Sequence, residues 1–147
     1  MYQLNLPTFD YKLKKADGKV WIFDVIRKKY IVLTPEEWVR QHFIHYLIHD
    51  FKYPRSLVKI EGGLTYNQLQ KRSDITVFDR EGKPWMIVEC KSPTLNLSES
   101  TLQQAAVYNA TLKAKYLTIT NGMIYLCSST DWDAGKTSLL ETLPPYL

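Results

Sequence analysis

Apolar positions along the chain fall into short runs whose spacing switches between strand-like alternation and a helical period. Residues 20–33 hold two such runs, VWIFDVI and YIVL, separated by Arg27, Lys28 and Lys29, and this pattern predicts a hairpin. Residues 1–19 show no sustained period. Pro7 and the turn pair Asp17-Gly18 mark them as an irregular lead-in. Thr34-Pro35-Glu36-Glu37 then announces a helix: threonine can cap, proline fits the first helical position, and two acids suit the positive end of the helix dipole. The helix should reach about His49, because Arg40, Phe43, Ile44, Leu47, Ile48 and Phe51 share one face, with Glu37 on the same side.

Tyr53-Pro54 ends that helix, and residues 57–60 form a short predicted strand before Gly62-Gly63. A second hairpin is predicted from residues 74–78, the turn Arg80-Glu81-Gly82-Lys83, and the apolar run 85–90. Pro93 closes this region, and Ser98 offers an N-cap for a helix to about Lys113. Residues 116–120 and 123–127 flank Asn121-Gly122, a strong hairpin signal. The tail from Asp131 onward, with Pro144-Pro145, is expected to lie on the surface.

A chain of 147 residues without repeats or a composition break reads as a single domain, with lead-in 1–19, core 20–127 and C-terminal tail 128–147. Hydrophobic and charged fractions of 45% and 23% exclude disordered and collagen-like classes. Net charge is +4, a mild bias toward polyanionic partners that a merely basic surface explains equally well. Cys90 and Cys127 lack the spacing of a disulfide framework or zinc site, and both stand in apolar runs, as reduced buried thiols do. Without an apolar leader or spanning run, the expected location is cytoplasmic, with no membrane contact.

The chemistry concentrates in the second hairpin. Asp74 opens one strand, and Glu89-Cys90-Lys91 closes the other, directly after an apolar run where charges need a reason. Strand alternation sends Glu89 and Lys91 to one face and Cys90 to the other, into the core. Hairpin pairing carries Asp74 to Glu89. Two converging carboxylates repel, and a hard divalent cation relieves that repulsion. Lys91 then stands where it orients a water or stabilises charge on a phosphate, an arrangement suited to phosphodiester hydrolysis.

Asp74, fourteen intervening residues and Glu89-x-Lys91 resemble the core motif of the PD-(D/E)XK nucleases. More narrowly, the chain is similar to the N-terminal nuclease domain of type I restriction enzyme R subunits. The likeness covers roughly residues 20–127, through Thr34-Pro-Glu-Glu-Trp-Val-Arg-Gln, Lys71-Arg-Ser-Asp, Val-Glu-Cys-Lys-Ser-Pro, Gln104-Ala-Ala-Val-Tyr108-Asn and Thr120-Asn-Gly. It implies an α/β restriction-endonuclease-like core, a mixed central sheet flanked by helices on both faces. It implies Mg2+ (or Mn2+) held by Asp74, Glu89, the Cys90 backbone carbonyl and the accessory acid Glu37, with Lys91 assisting hydrolysis and Gln104 and Tyr108 forming the motif after the catalytic strand. Implied partners are DNA and helicase or methyltransferase subunits. Ser73 stands where the family's motif has proline, and Glu36 and Gln103 compete by one residue for the roles of Glu37 and Gln104.

Each residue also has a plainer reading. An E-x-K triplet on an edge strand is commonly a solvated ion pair. Glu37 serves equally as a dipole partner or an ion pair with Arg40. Tyr108 fits as a core aromatic. His42, His45 and His49 share a helix stripe opposite the apolar face and read as solvated or DNA-facing rather than zinc-binding. Gly135-Lys136-Thr137 lacks the earlier glycine of a phosphate-binding loop and reads as a tail turn. The rival function is a non-catalytic DNA-binding or accessory module of a larger restriction or repair complex.

Overall fold

The computed structural model describes residues 2–60, 65–66, 69–70 and 75–147. Asp74 and the basic pair Lys71-Arg72 therefore lie outside the described residues. Three antiparallel strands come first: β1 (Leu13–Ala16), β2 (Lys19–Asp24) and β3 (Lys29–Val32). The β2–β3 hairpin meets the expectation from residues 20–33. The lead-in does not stay irregular, because Asp17 and Gly18 both take positive φ, 54° and 72°, and fold β1 back onto β2 with Ala16 opposite Lys19.

Helix α1 (Pro35–His45) starts as its sequence dictates, with the Thr34 hydroxyl accepting from the Glu37 amide at 3.0 Å. Its last turn widens into a π-helical turn over Tyr46–Asp50, so the helical run ends close to the expected His49. Val39, Phe43, Ile44 and Leu47 are fully buried, each such side chain contributing about 1.5–3 kcal/mol by leaving water. Lys52 in the left-handed region and the extended Pro54 end the run.

A six-stranded mixed sheet forms the centre, in the order β11-β10-β9-β8-β7-β4. Its strands are β4 (Val58–Lys59), β7 (Ile75–Phe78), β8 (Pro84–Cys90), β9 (Tyr116–Thr120), β10 (Tyr125–Asp131) and β11 (Lys136–Leu140); a small pair, β5 (Thr65–Tyr66) and β6 (Leu69–Gln70), stands apart. The predicted β7–β8 hairpin is present, its turn tied by Asp79 Oδ1, which accepts from the amides of Glu81 and Lys83 at 2.9 Å. Helix α2 (Glu99–Leu112), capped by Ser98 and ended by left-handed Lys113, makes the crossover that sets β8 and β9 parallel.

The helices cover opposite faces of this sheet, as expected of the fold class. Val39, Phe43 and Ile44 of α1 and Leu47 of the π-helical turn cluster with Ile75, Val77, Met86, Val88 and Cys90. Leu102 and Ala105 of α2 cluster with Ile87, Leu117 and Ile119. The C-terminal tail is a correction to the surface expectation: β11 pairs antiparallel with β10, Leu143 is buried, and the Tyr53 hydroxyl donates to the Pro144 carbonyl at 2.6 Å. Gly135 occupies the β10–β11 turn, as expected, but Lys136 and Thr137 belong to β11 and pair with Asp131 and Thr130.

Candidate active site

Strand β8 carries the central residues because its alternation changes chemistry at its end. Met86, Val88 and Cys90 point toward α1, whereas Ile87, Glu89 and then Lys91 point toward α2. Lys91 Nζ lies 3.1 Å from Glu89 Oε2, with side chains 32% and 17% exposed, so the pair stays open to solvent and to a ligand. The Cys90 thiol is buried in the core on the other face.

The end of β9 fixes the chain at this point. The Lys91 amide donates to the Thr120 carbonyl at 2.8 Å, and Asn121 Nδ2 donates to the Leu95 carbonyl at 2.8 Å. The same asparagine's Oδ1 accepts from the amides of Met123 and Ile124, holding the β9–β10 turn. Gly122 is required there: φ is +84°, and an added Cβ would stand 2.8 Å from Leu4 Cδ2. Asn121-Gly122 was legible as a turn, but not Asn121's grip on the segment after Lys91, since that depends on two parallel strands ending side by side.

The other candidates stand on the two helices. Glu37 stands on α1, across the sheet, in a buried cluster of its own. Its carboxylate accepts from Arg27 Nη2 at 3.3 Å, from Arg40 Nη1, and from Gln41 Nε2 at 2.8 Å. Arg27 also binds Asp24 through its Nε at 2.5 Å. On α2, Gln103 and Gln104 are both exposed whereas Tyr108 is buried. His42 corrects the expected solvated stripe: it is buried, with Nδ1 2.8 Å from the Trp38 carbonyl and Phe9 against its ring. Phe9 also stacks on His45 at 4.1 Å. Desolvation drives the His45 pKa down to about 4, aided by His49, Arg55 and His42, with Asp24 opposing.

Both cysteine thiols are buried in the core cluster that faces α1, so neither stands beside Glu89. Among the described residues no three His, Cys, Asp or Glu side chains converge as a metal cluster, and no helix is long and apolar enough to cross a membrane.

A mixed sheet between two helices, with a carboxylate and an ammonium at the end of a central strand, defines an α/β protein whose open polar site lies at one sheet end. Residues 35–144 match the family described as type I restriction enzyme R protein N terminus, and the chain belongs to that family. A fragment assigned to the HsdR subunit of a type I restriction enzyme from Vibrio vulnificus YJ016 shares 28% identity at a TM-score of 0.38, over 59% of this chain and 16% of that one. The chain thus spans a small part of that protein. No protein of curated function matches the chain significantly.

Proposed function

We propose that the chain is a magnesium-dependent deoxyribonuclease of the PD-(D/E)XK type acting in a restriction complex. The observation that carries this reading is the Glu89–Lys91 pair at the open end of β8, in a chain of the restriction R-protein family. Asp74 directly precedes β7 in the sequence, and Ile75, the first residue of β7, pairs with Val88, the residue before Glu89. Asp74, Glu89 and the Cys90 carbonyl would then hold Mg2+ or Mn2+. When bound, the cation would supply Lewis-acid polarisation at a phosphate.

Hydrolysis adds water to phosphorus and breaks one P–O ester bond, the leaving oxygen taking up a proton. Lys91 would orient the attacking water and stabilise charge growing on the phosphate oxygens. Glu89 would exchange its contact with Lys91 for the cation. Glu37 is left out of this set: two guanidinium groups already neutralise it, and the sheet separates α1 from the Glu89 face. Gln104, exposed on α2, would contact DNA rather than metal.

The test is incubation of the purified chain with supercoiled and linear DNA in Mg2+, Mn2+ or EDTA. Metal-dependent cleavage should fall by orders of magnitude in Asp74→Asn, Glu89→Gln and Lys91→Ala. Cleavage unchanged in Lys91→Ala refutes the assignment. The family's description as the N terminus of a restriction enzyme R protein supports action within a larger assembly; helicase or methyltransferase subunits are the expected partners, and the same variants are to be compared in the assembled complex if the chain alone is silent.

A further inference from the structure

The small sheet β1–β2–β3 precedes the family-matched residues and has two unlike faces. Ile22 and Asp24 point inward and are fully buried, Asp24 being joined through Arg27 to Glu37 of α1. The other face presents Trp21, Phe23 and Tyr30, all partly exposed, among Lys12, Lys14 and Lys19, which are exposed. Phe23 and Tyr30 are directly paired across β2 and β3 and meet edge to face at 5.3 Å. Lys14 Nζ lies 4.4 Å from the Tyr30 ring centroid, and Lys12 Nζ lies 6.0 Å from that of Phe23. Residues 12–29 carry seven of the nineteen basic residues against two acids, a local net charge of +5 against +4 for the whole chain.

We propose that this face is a binding platform for single-stranded nucleic acid. Aromatic rings with basic groups beside them suit that ligand, because every unpaired base has a face to stack while the lysines meet the backbone. A duplex hides its base faces and would engage the lysines alone. Lys12 and Lys14 are poised for the exchange: each ammonium leaves its ring for a phosphate as a base takes the ring face. The two remaining strong contacts of the sheet, Asp24 with Arg27 and Arg27 with Glu37, are on the inner face and need not change. This binding requires neither a metal nor cleavage, so it stands or falls separately from the nuclease reading.

The test uses the full chain in EDTA with labelled oligo(dT) and a duplex of equal length, followed by fluorescence anisotropy. Oligo(dT) should bind at least several-fold more tightly than duplex, and Phe23→Ala or Tyr30→Ala should each weaken it by roughly tenfold, within the range for one stacked base. Lys12→Ala with Lys14→Ala should weaken both ligands. Since a ring truncation can disturb the sheet, ultraviolet crosslinking of wild-type protein to oligo(dT) with peptide mapping gives an independent readout. Crosslinks at Trp21, Phe23 or Tyr30 support the platform. Equal affinity for single strand and duplex, ring variants that fold and bind normally, or crosslinks confined elsewhere overturn it. Sedimentation showing a dimer that Tyr30→Ala dissociates also overturns it, since a second copy would then own the face.

Discussion

At Glu37 a carboxylate with a side chain 5% exposed faces two guanidinium groups, whereas Glu89, 17% exposed, faces one ammonium. The first arrangement is structural in its energetics. Removing one member of a buried ion cluster leaves the rest uncompensated, so Glu37→Ala should cost about 3 kcal/mol in denaturant unfolding, the low end for buried pairs because Arg27 is partly exposed. Glu89→Gln should change stability by less than about 1 kcal/mol, because the partly exposed pair keeps its contact with solvent. Comparable losses in both variants would mean that Glu89 is a structural residue. The thiols follow the same burial logic: Cys127 is pushed up to about 11 by desolvation, against a weaker opposing hydrogen bond from Thr118, and Cys90 is buried. A thiol reagent should therefore react with native protein far more slowly than with unfolded chain. At this scale the alternation of Glu89, Cys90 and Lys91 was legible, because period-two geometry needs only the strand assignment. Glu37's neighbours were only half legible. Arg40 lies three residues along the helix, but Arg27 reaches it from the β2–β3 turn, which no local pattern reveals.

A helix cap is legible from a few adjacent residues, whereas a strand without an apolar face is not. Ser98 and Thr101 form a reciprocal capping box, so α2 declared its start; Ser98→Ala should cost about 1 kcal/mol, checked by urea unfolding. β1 and β11 were missed because LKKA and KTSLL are almost wholly exposed and lack an alternating apolar face. Burial of His42 was missed because Phe9 covers it from a segment that has no period of its own. That segment lies over α1, where the Trp38 indole donates to the Tyr2 carbonyl at 2.7 Å and Phe9 stacks on His45. Burial lowers both His42 and His45, the latter from 6.5 to about 4, so the folded state favours neutral imidazole. The stabilisation is complete above the ordinary value and is lost as pH falls toward 4, because the unfolded chain takes up protons first. The urea midpoint should drop between pH 7 and pH 5 in wild type, and less steeply in His45→Asn. Equal slopes would mean that His45 is solvated in the folded state.

For the whole molecule, the tail's burial and the charge distribution have separate consequences. Deleting residues 141–147 removes Leu143 from the core and Pro144 from Tyr53, and should cost about 3 kcal/mol or more, a loss read from the unfolding midpoint. Duplex binding belongs to this scale too, because it sums dispersed charges instead of one contact. Arg27 is committed to Asp24 and Glu37, so the turn cluster offers Lys28 and Lys29 to phosphates, both exposed. Lys71 and Arg72 stand three and two positions before Asp74 in the sequence and would add two more contacts. Phosphate contacts fix position and carry no base identity, so affinity for duplex DNA should be alike across unrelated sequences. With about four phosphates neutralised, log affinity should fall against log salt with a slope near −3.6, each contact contributing about −0.9. Replacing Lys71 and Arg72 with alanine should flatten that slope by up to about two units and weaken every sequence equally. Anisotropy titrations at several salt concentrations decide between outcomes. A shallow wild-type slope would show that the basic residues do not converge on one duplex, and a marked preference for one sequence would require base contacts that phosphate-directed lysines cannot supply.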